Sequence, residues 1–84
     1  MVSKMSNSSS KDLYDIWRRE DEEAKRIRRE MADWDFIKKQ SPRIRIALEY
    51  YIETGDLYIA SRIAGLTIEE FNELRKRANI PNVA

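Results

Sequence analysis

The sequence contains no cysteine and no histidine, and only two glycines and two prolines among its 84 residues. Without cysteine there is no disulfide, no thiolate zinc site and no cysteine nucleophile. Without histidine the chain lacks the commonest general base, the commonest zinc ligand and the usual group that titrates near neutral pH. These absences remove most catalytic and metal-binding classes before any pattern is considered.

The sequence also lacks long apolar runs. None approaches the length of about 18 residues that a membrane-spanning helix needs, and no signal-peptide h-region is visible. We therefore expect a cytoplasmic protein. There is no glycine-rich loop and no nucleophile–base pair, so carboxylate pairs such as Asp33 with Asp35 are expected to cap and solvate helices. We expect no enzymatic activity and no cofactor. No EF-hand spacing occurs, and a metal site is not predicted, although weak divalent-cation binding among carboxylates stays open.

Charge is abundant but balanced, since 16 lysines and arginines stand against 15 aspartates and glutamates. Residues 11–40 carry nine of each sign and residues 41–84 carry six of each, so neither half is a basic domain. Such interleaving is typical of helices laced with ion pairs and gives a weak field for nucleic acid. The richness in Glu, Arg, Lys and Ile also resembles the composition of thermophile proteins.

The pattern predicts an all-α domain at 11–84 with a disordered tail at 1–10. A long first helix, about 11–39, packs on a compact three-helix, helix-turn-helix-like unit formed by helices at about 42–54, 57–64 and 68–78. A helix over 11–39 would span about 43 Å, so its first half projects, docks on a second copy, or the helix breaks near 32–35. Its apolar stripe is interrupted at Glu20 and comprises Leu13, Ile16, Trp17, Ala24, Ile27, Met31, Trp34 and Ile37.

The remaining helix ends are predicted from capping residues. Gly55 and Gly65 end helices in the left-handed conformation, and Thr67 with Glu70 forms a capping box. The other boundary residues are Ser41 and Pro42, Asp56, the hydrophobic staple of Leu66 with Phe71, and Asn79 before Pro81. Ile59 and Ile68 are expected to point into the core.

Part of this pattern of helix-boundary and core residues is similar to that of a known group of proteins. The matching residues are Gly55, Ala60, Gly65, Leu66, Thr67, Glu70 and Phe71, followed by Ile80-Pro81. Over residues 44–82 the chain resembles small prokaryotic, archaeal-type antitoxin-like proteins with a short helix-turn-helix-like segment. The resemblance implies a toxin-neutralising or regulatory binding protein.

Two functions remain open at this level. The first is a protein-interaction module that binds a protein partner or self-associates, with Tyr14, Trp17, Tyr50 and Tyr58 as exposed aromatic anchors. The alternative is a small nucleic-acid-binding transcriptional regulator that uses Arg28, Arg29, Arg43 and Arg45. Readout by the last helix is disfavoured because Glu69, Glu70 and Glu73 would repel phosphate.

Overall fold

The fold consists of five α-helices. The computed structural model describes the backbone of residues 2–83 and the side chains of residues 13–83. The helices are α1 (Val2–Met31), α2 (Trp34–Lys38), α3 (Pro42–Thr54), α4 (Leu57–Ala64) and α5 (Ile68–Arg77). Residues 2–83 contain no strand, so the predicted all-α class is confirmed. The helix-turn-helix-like description of α3–α5 stays a prediction.

Helix α3 is central, because α1, α2 and α4 all pack against it while α5 packs on α4. Its buried face meets that of α5 where the rings of Tyr51 and Phe71 stack edge to face, with centroids 6.1 Å apart. Such a pair contributes about 0.5–1.5 kcal/mol beyond its area burial. The other fully buried large side chains are Ile37, Leu48, Ile52 and Ile80. The core cluster therefore extends from Ala32 to Ile80 and, among the described side chains, takes none from the first half of α1.

The first helix ends earlier than predicted, at Met31 instead of continuing to 39. The backbone N–H of Asp33 donates to the Ala78 carbonyl at 2.8 Å, and the Asn79 side-chain amide donates to the Met31 carbonyl at 2.9 Å. These bonds from the end of α5 replace the intrahelical bonds that would continue α1. Asp33 then caps the separate helix α2 by accepting from the Phe36 backbone N–H. Residues 2–83 consequently form five helices where the sequence predicts four.

At its other end, α1 begins at Val2, nine residues before the predicted start. Residues 2–10, for which the sequence predicts a disordered tail, continue the helix in the structure. Serine and asparagine have modest helix propensity but do not break a helix, and residues 2–31 contain neither glycine nor proline. The division into a tail and a single domain at 11–84 stays a prediction.

The predicted ends of α3, α4 and α5 are confirmed within one residue. Gly55 and Gly65 adopt φ of 69° and 72°, and both bonds of the Thr67–Glu70 capping box are present. Asp56 caps α4 by accepting from the Ile59 N–H, and Asn79 is left-handed with φ 57°. Ser41 holds the N-cap position of α3 without a side-chain hydrogen bond there.

The prediction that Ile59 and Ile68 point into the core is wrong, since both are exposed. Helix α4 has only eight residues, and its buried face is narrow, formed by Ala60, Ser61 and Ala64. Ile59 precedes that face. Ile68 is the first residue of α5, three residues before the buried Phe71. It lies beside the turn between α4 and α5.

Candidate binding surface

The first half of α1 projects from the domain. Every residue from 13 to 23 is exposed, and Ala24 is the first buried position along the chain among the described side chains. The molecule is accordingly elongated, with extents of 57 × 23 × 18 Å. We call residues 13–23 the arm. The sequence left three alternatives open for the first helix: a projecting first half, docking on a second copy, or a break near 32–35. The structure shows the first and the third at once, because α1 ends at Met31 and its first half projects.

The arm carries four large apolar side chains at its N-terminal end, beyond which α1 continues back to Val2. Leu13, Tyr14, Ile16 and Trp17 are between 42% and 62% exposed. Solvated helices usually show scattered single apolar residues, whereas these four occupy little more than one turn. The ring of Tyr14 also packs beneath the Arg18 guanidinium, whose Cζ lies 5.2 Å from the ring centroid. The result is a compact apolar patch with a cationic border.

An open groove continues from this patch toward the domain. It has a volume of about 680 Å³ and is lined by Ile16, Arg19, Glu20, Glu23, Ala24, Ile27 and Val83. The small side chain of Ala24 lies between the longer ones of Glu20 and Ile27 on the same helix face. Val83, which follows α5 and Pro81, provides the wall on the domain side. The groove is therefore mostly apolar along its floor and charged along its edges.

The base of α1 is fixed to α3 by charged groups. Arg29 Nη2 lies 2.8 Å from Glu53 Oε1, and Lys25 Nζ lies 3.5 Å from Glu53 Oε2. The hydrogen bond from Arg29, aided by the charges of both cations, holds the pKa of Glu53 below its ordinary value. On the outer face Arg26 pairs with Glu23 and Glu30. The hydrogen bond with Glu23, aided by the charges of both carboxylates, raises the pKa of Arg26 above its ordinary value.

Farther out on the arm the carboxylates have no such partners. Among the described side chains, Glu20, Asp21 and Glu22 form no salt bridge. The arm thus presents cations at Arg18 and Arg19, followed at once by these unpaired anions.

The aromatic residues predicted as partner anchors separate into two groups. Tyr14 and Trp17 lie together on the arm, on either side of a shallow depression. Tyr50 is half-buried against the core, and Tyr58 lies on α4, where its hydroxyl accepts a hydrogen bond from Arg62 at 3.0 Å. The structure therefore brings together the first pair only.

The arginines predicted for the nucleic-acid alternative largely contact protein acceptors. Arg28 is only 3% exposed, and it donates from Nε to the Ile52 carbonyl at 2.8 Å and from Nη1 to the Val83 carbonyl at 2.6 Å. Arg43 Nε donates to the Ile63 carbonyl at 2.7 Å, and Arg29 is paired with Glu53. Arg45 is half-buried. These side chains do not form one exposed basic patch.

Sequence reasoning missed the buried role of Arg28 and the part that Val83 plays in the groove. Arg28 is flanked by other cations, so composition gave no reason to separate it from its exposed neighbours. A usable signal was the spacing, because Arg28 lies four residues after Ala24 and four before Ala32, both of which are buried. Val83 gave no signal, because it reaches the groove only through the fold.

Two further classes of site are absent from the described residues. No three acidic side chains there come close enough together to hold a metal ion. None of the helices combines the length and the apolar character required to cross a bilayer. Comparison with known proteins found no match to a protein-family model, to a curated protein or to a solved structure.

Proposed function

We propose that this chain is a small binding protein that acts by docking its arm on another polypeptide, either a protein partner or a second copy. The observation that carries the proposal is the patch of Leu13, Tyr14, Ile16 and Trp17 on a helix that projects beyond the core. Complete burial of a fully exposed Leu or Ile side chain contributes about 1.5–3 kcal/mol, and a groove or helix that covers these half-exposed side chains gains part of that for each. Aromatic anchors at the centre of an interface commonly dominate its binding energy.

The charge distribution favours a polypeptide over nucleic acid as the occupant. Nucleic-acid affinity depends on cations that reach phosphates, and Arg28, Arg29 and Arg43 are engaged within the fold. The arm itself places Glu20, Asp21 and Glu22 next to its two arginines. The resemblance of residues 44–82 to antitoxin-like proteins implies a toxin-neutralising or regulatory binding protein, which agrees with a function by binding but does not choose the occupant.

Site-specific photo-crosslinking tests the proposal. A benzophenone amino acid replaces Trp17 in the full chain, which is then irradiated in extract of the cells that produce it. We expect discrete polypeptide adducts, identified by mass spectrometry. The matched control places the same group at Glu69, which is exposed at the start of α5. Adducts from position 69 but none from position 17 would overturn the proposal.

Nucleic acid is tested in parallel by titrating duplex DNA and RNA at low salt. We expect no arm-dependent binding. A salt-dependent shift that is lost on replacing Arg18 and Arg19 with alanine would favour the nucleic-acid alternative instead.

A further inference from the structure

We infer that the arm docks on a basic amphipathic helix of a different protein. The inference rests on the proposed function and specifies the chemistry of its partner. The apolar side chains of that helix cover the apolar patch and enter the groove beside it, while its lysines or arginines lie against Glu20 and Asp21. Three properties of the arm support this partner: its net charge, the position of its carboxylates beside Trp17, and the shape of the groove.

The arm is the acidic part of a chain that is otherwise basic. Residues 13–23 carry five carboxylates and two arginines, a net charge of −3. Residues 24–84 carry nine carboxylates and twelve lysines or arginines, a net charge of +3. An acidic surface attracts a basic partner, and it repels both nucleic acid and a second arm of the same charge. The sign of the charge therefore selects a cationic polypeptide of a different sequence.

Two carboxylates lie next to the ring of Trp17. Glu20 follows Trp17 by three residues and Asp21 follows it by four, so both are its neighbours on the surface of α1, one turn nearer the domain. Among the described side chains, neither carboxylate forms a salt bridge. A lysine or arginine of the partner placed there contacts the carboxylates and the face of the indole ring together. Both contacts favour a cation, and tryptophan is the strongest aromatic partner for one.

A depression at the same place has room for such a side chain. It has a volume of about 260 Å³ and is lined by Tyr14, Trp17, Arg18 and Asp21. The guanidinium of Arg18 lies over the ring of Tyr14, with Cζ 5.2 Å from the centroid, so this surface already holds one cation against an aromatic ring. None of the described cations lies over the ring of Trp17. The indole face and the Asp21 carboxylate are therefore the part of the depression that a partner's cation would contact.

The groove suits a helix better than an extended segment. Its lining runs along α1 from Ile16 to Ile27, about 16 Å at 1.5 Å per residue, which is the length of three turns of a facing helix. Residues 2–83 contain no strand, so they offer no sheet edge to pair with the backbone of an extended peptide. An amphipathic helix instead supplies apolar side chains one turn apart, which is the arrangement that fills an apolar groove.

Two synthetic peptides test the sign of the charge. Both have about 18 residues and one helical face of leucine, and the other face is lysine in the first and glutamate in the second. Trp34→Phe leaves Trp17 as the only tryptophan, so its fluorescence measures binding at the arm. We expect the lysine peptide to bind at least about tenfold more tightly than the glutamate peptide, and the difference to shrink as salt is added. A lysine peptide that does not bind more tightly would overturn the inference.

Charge reversal tests whether the contact lies beside Trp17. Glu20→Lys with Asp21→Lys should weaken binding of the lysine peptide at least about tenfold and should reverse the preference between the two peptides. The matched control is Glu49→Lys with Glu69→Lys, which changes the net charge equally at exposed positions outside the arm. We expect the control to change binding less than about twofold, because distant surface charges are screened. An equal loss in the control would mean that net charge alone attracts the peptide, and the assigned site would be wrong. Circular dichroism of each variant verifies that the helices are retained.

The natural partner is tested by sequencing the adduct formed at position 17 in the crosslinking experiment. We expect the crosslinked segment to carry apolar residues three or four apart with lysine or arginine beside them. An adduct in an acidic or uncharged segment, or only with a second copy of this chain, would overturn the inference and leave the proposed function standing. If position 17 gives no adduct at all, both proposals fail.

Discussion

At the scale of single residues, three arginines donate hydrogen bonds to backbone carbonyls, two of them in the last turn of a helix and one just beyond the end of α5. Arg28 and Arg43 donate to carbonyls near the C-termini of α3 and α4, and Arg75 donates from Nη1 to the Ile80 carbonyl at 2.7 Å. The last carbonyls of a helix have no intrahelical partner and carry partial negative charge, so a guanidinium there gains both hydrogen bonds and dipole energy. All described buried side-chain polar atoms are satisfied.

Arg28→Met should destabilise the fold strongly. Methionine matches the aliphatic part of the arginine side chain but donates no hydrogen bond. The carbonyls of Ile52 and Val83 therefore both lose the hydrogen bond that Arg28 donates. We expect a loss of about 2–4 kcal/mol in the free energy of unfolding, measured in urea. Arg29→Met is the matched control, because it removes only an exposed ion pair and should cost less than about 1 kcal/mol. Equal losses in the two variants would contradict the buried role of Arg28.

The two glycines should differ in their tolerance of alanine, although both are left-handed. At Gly55 an added Cβ would lie 3.0 Å from Arg28 Nη1, and at Gly65 it would lie 2.9 Å from Arg43 Cζ. Arg43 is exposed and can move aside, whereas Arg28 is buried and held by two carbonyls. We expect Gly65→Ala to cost about 1–2 kcal/mol from backbone strain, and Gly55→Ala clearly more. The difference in thermal unfolding midpoints is the measurement, and the reverse order would contradict this explanation.

At the scale of the helices, local signals fixed the ends that depend on neighbouring residues. Glycine at Gly55 and Gly65, and the Thr67–Glu70 box, satisfy orphan backbone groups within a few residues, so the sequence alone shows them. The end of α1 could not be found this way. It depends on the bond that the Asp33 N–H donates to the Ala78 carbonyl and on the bond that the Asn79 amide donates to the Met31 carbonyl, both spanning more than 40 residues. The local sequence could therefore offer a break near 32–35 only as one of three alternatives.

The candidate surface likewise combines features that the local sequence predicts with features that depend on long-range contacts. The exposure of Tyr14 and Trp17 could be anticipated from the sequence, because four large apolar residues in little more than one turn cannot all point to one side of a helix. Their role as partner anchors stays a prediction. The groove could not be anticipated, since it requires Val83 to return to α1 through the fold. Arg28 is a residue type that normally lies on the surface, yet it is buried against α3. Only the packing of α3 on α1 distinguishes it from the exposed arginines beside it.

The contact of α1 with α3 should depend on pH through Glu53. Its folded-state pKa is depressed by Arg29 and Lys25, so its contribution is present above the ordinary carboxyl pKa of 4.5 and is lost as pH falls through the lower folded value. Glu53→Gln should therefore be less stable than the unmodified chain at neutral pH, by less than about 1 kcal/mol because the pair is half-exposed. The difference should vanish under acidic conditions. Glu49→Gln, at an exposed position of α3 without an ion pair among the described residues, serves as the control in the same pH series of urea titrations.

At the scale of the whole molecule, stability and binding belong to different parts of the chain. Every buried side chain that the structure describes lies at or after Ala24, and every residue of the arm is exposed. The arm can therefore change its surface without altering the core, which explains how a small domain presents a large apolar patch and still folds.

This separation predicts that a chain starting at Asp21 folds almost as stably as the full chain. Its shortened α1 would begin with Asp21, Glu22 and Glu23, whose charges favour the positive end of the helix dipole. We expect a change of less than about 1 kcal/mol in the free energy of unfolding, followed by the fluorescence of Trp34, which becomes the only tryptophan. The same truncation should abolish docking on another polypeptide, because it removes Leu13, Ile16 and Trp17. A truncated chain that is largely unfolded would show instead that the arm contributes to the core, and that its exposure is not what makes it a binding surface.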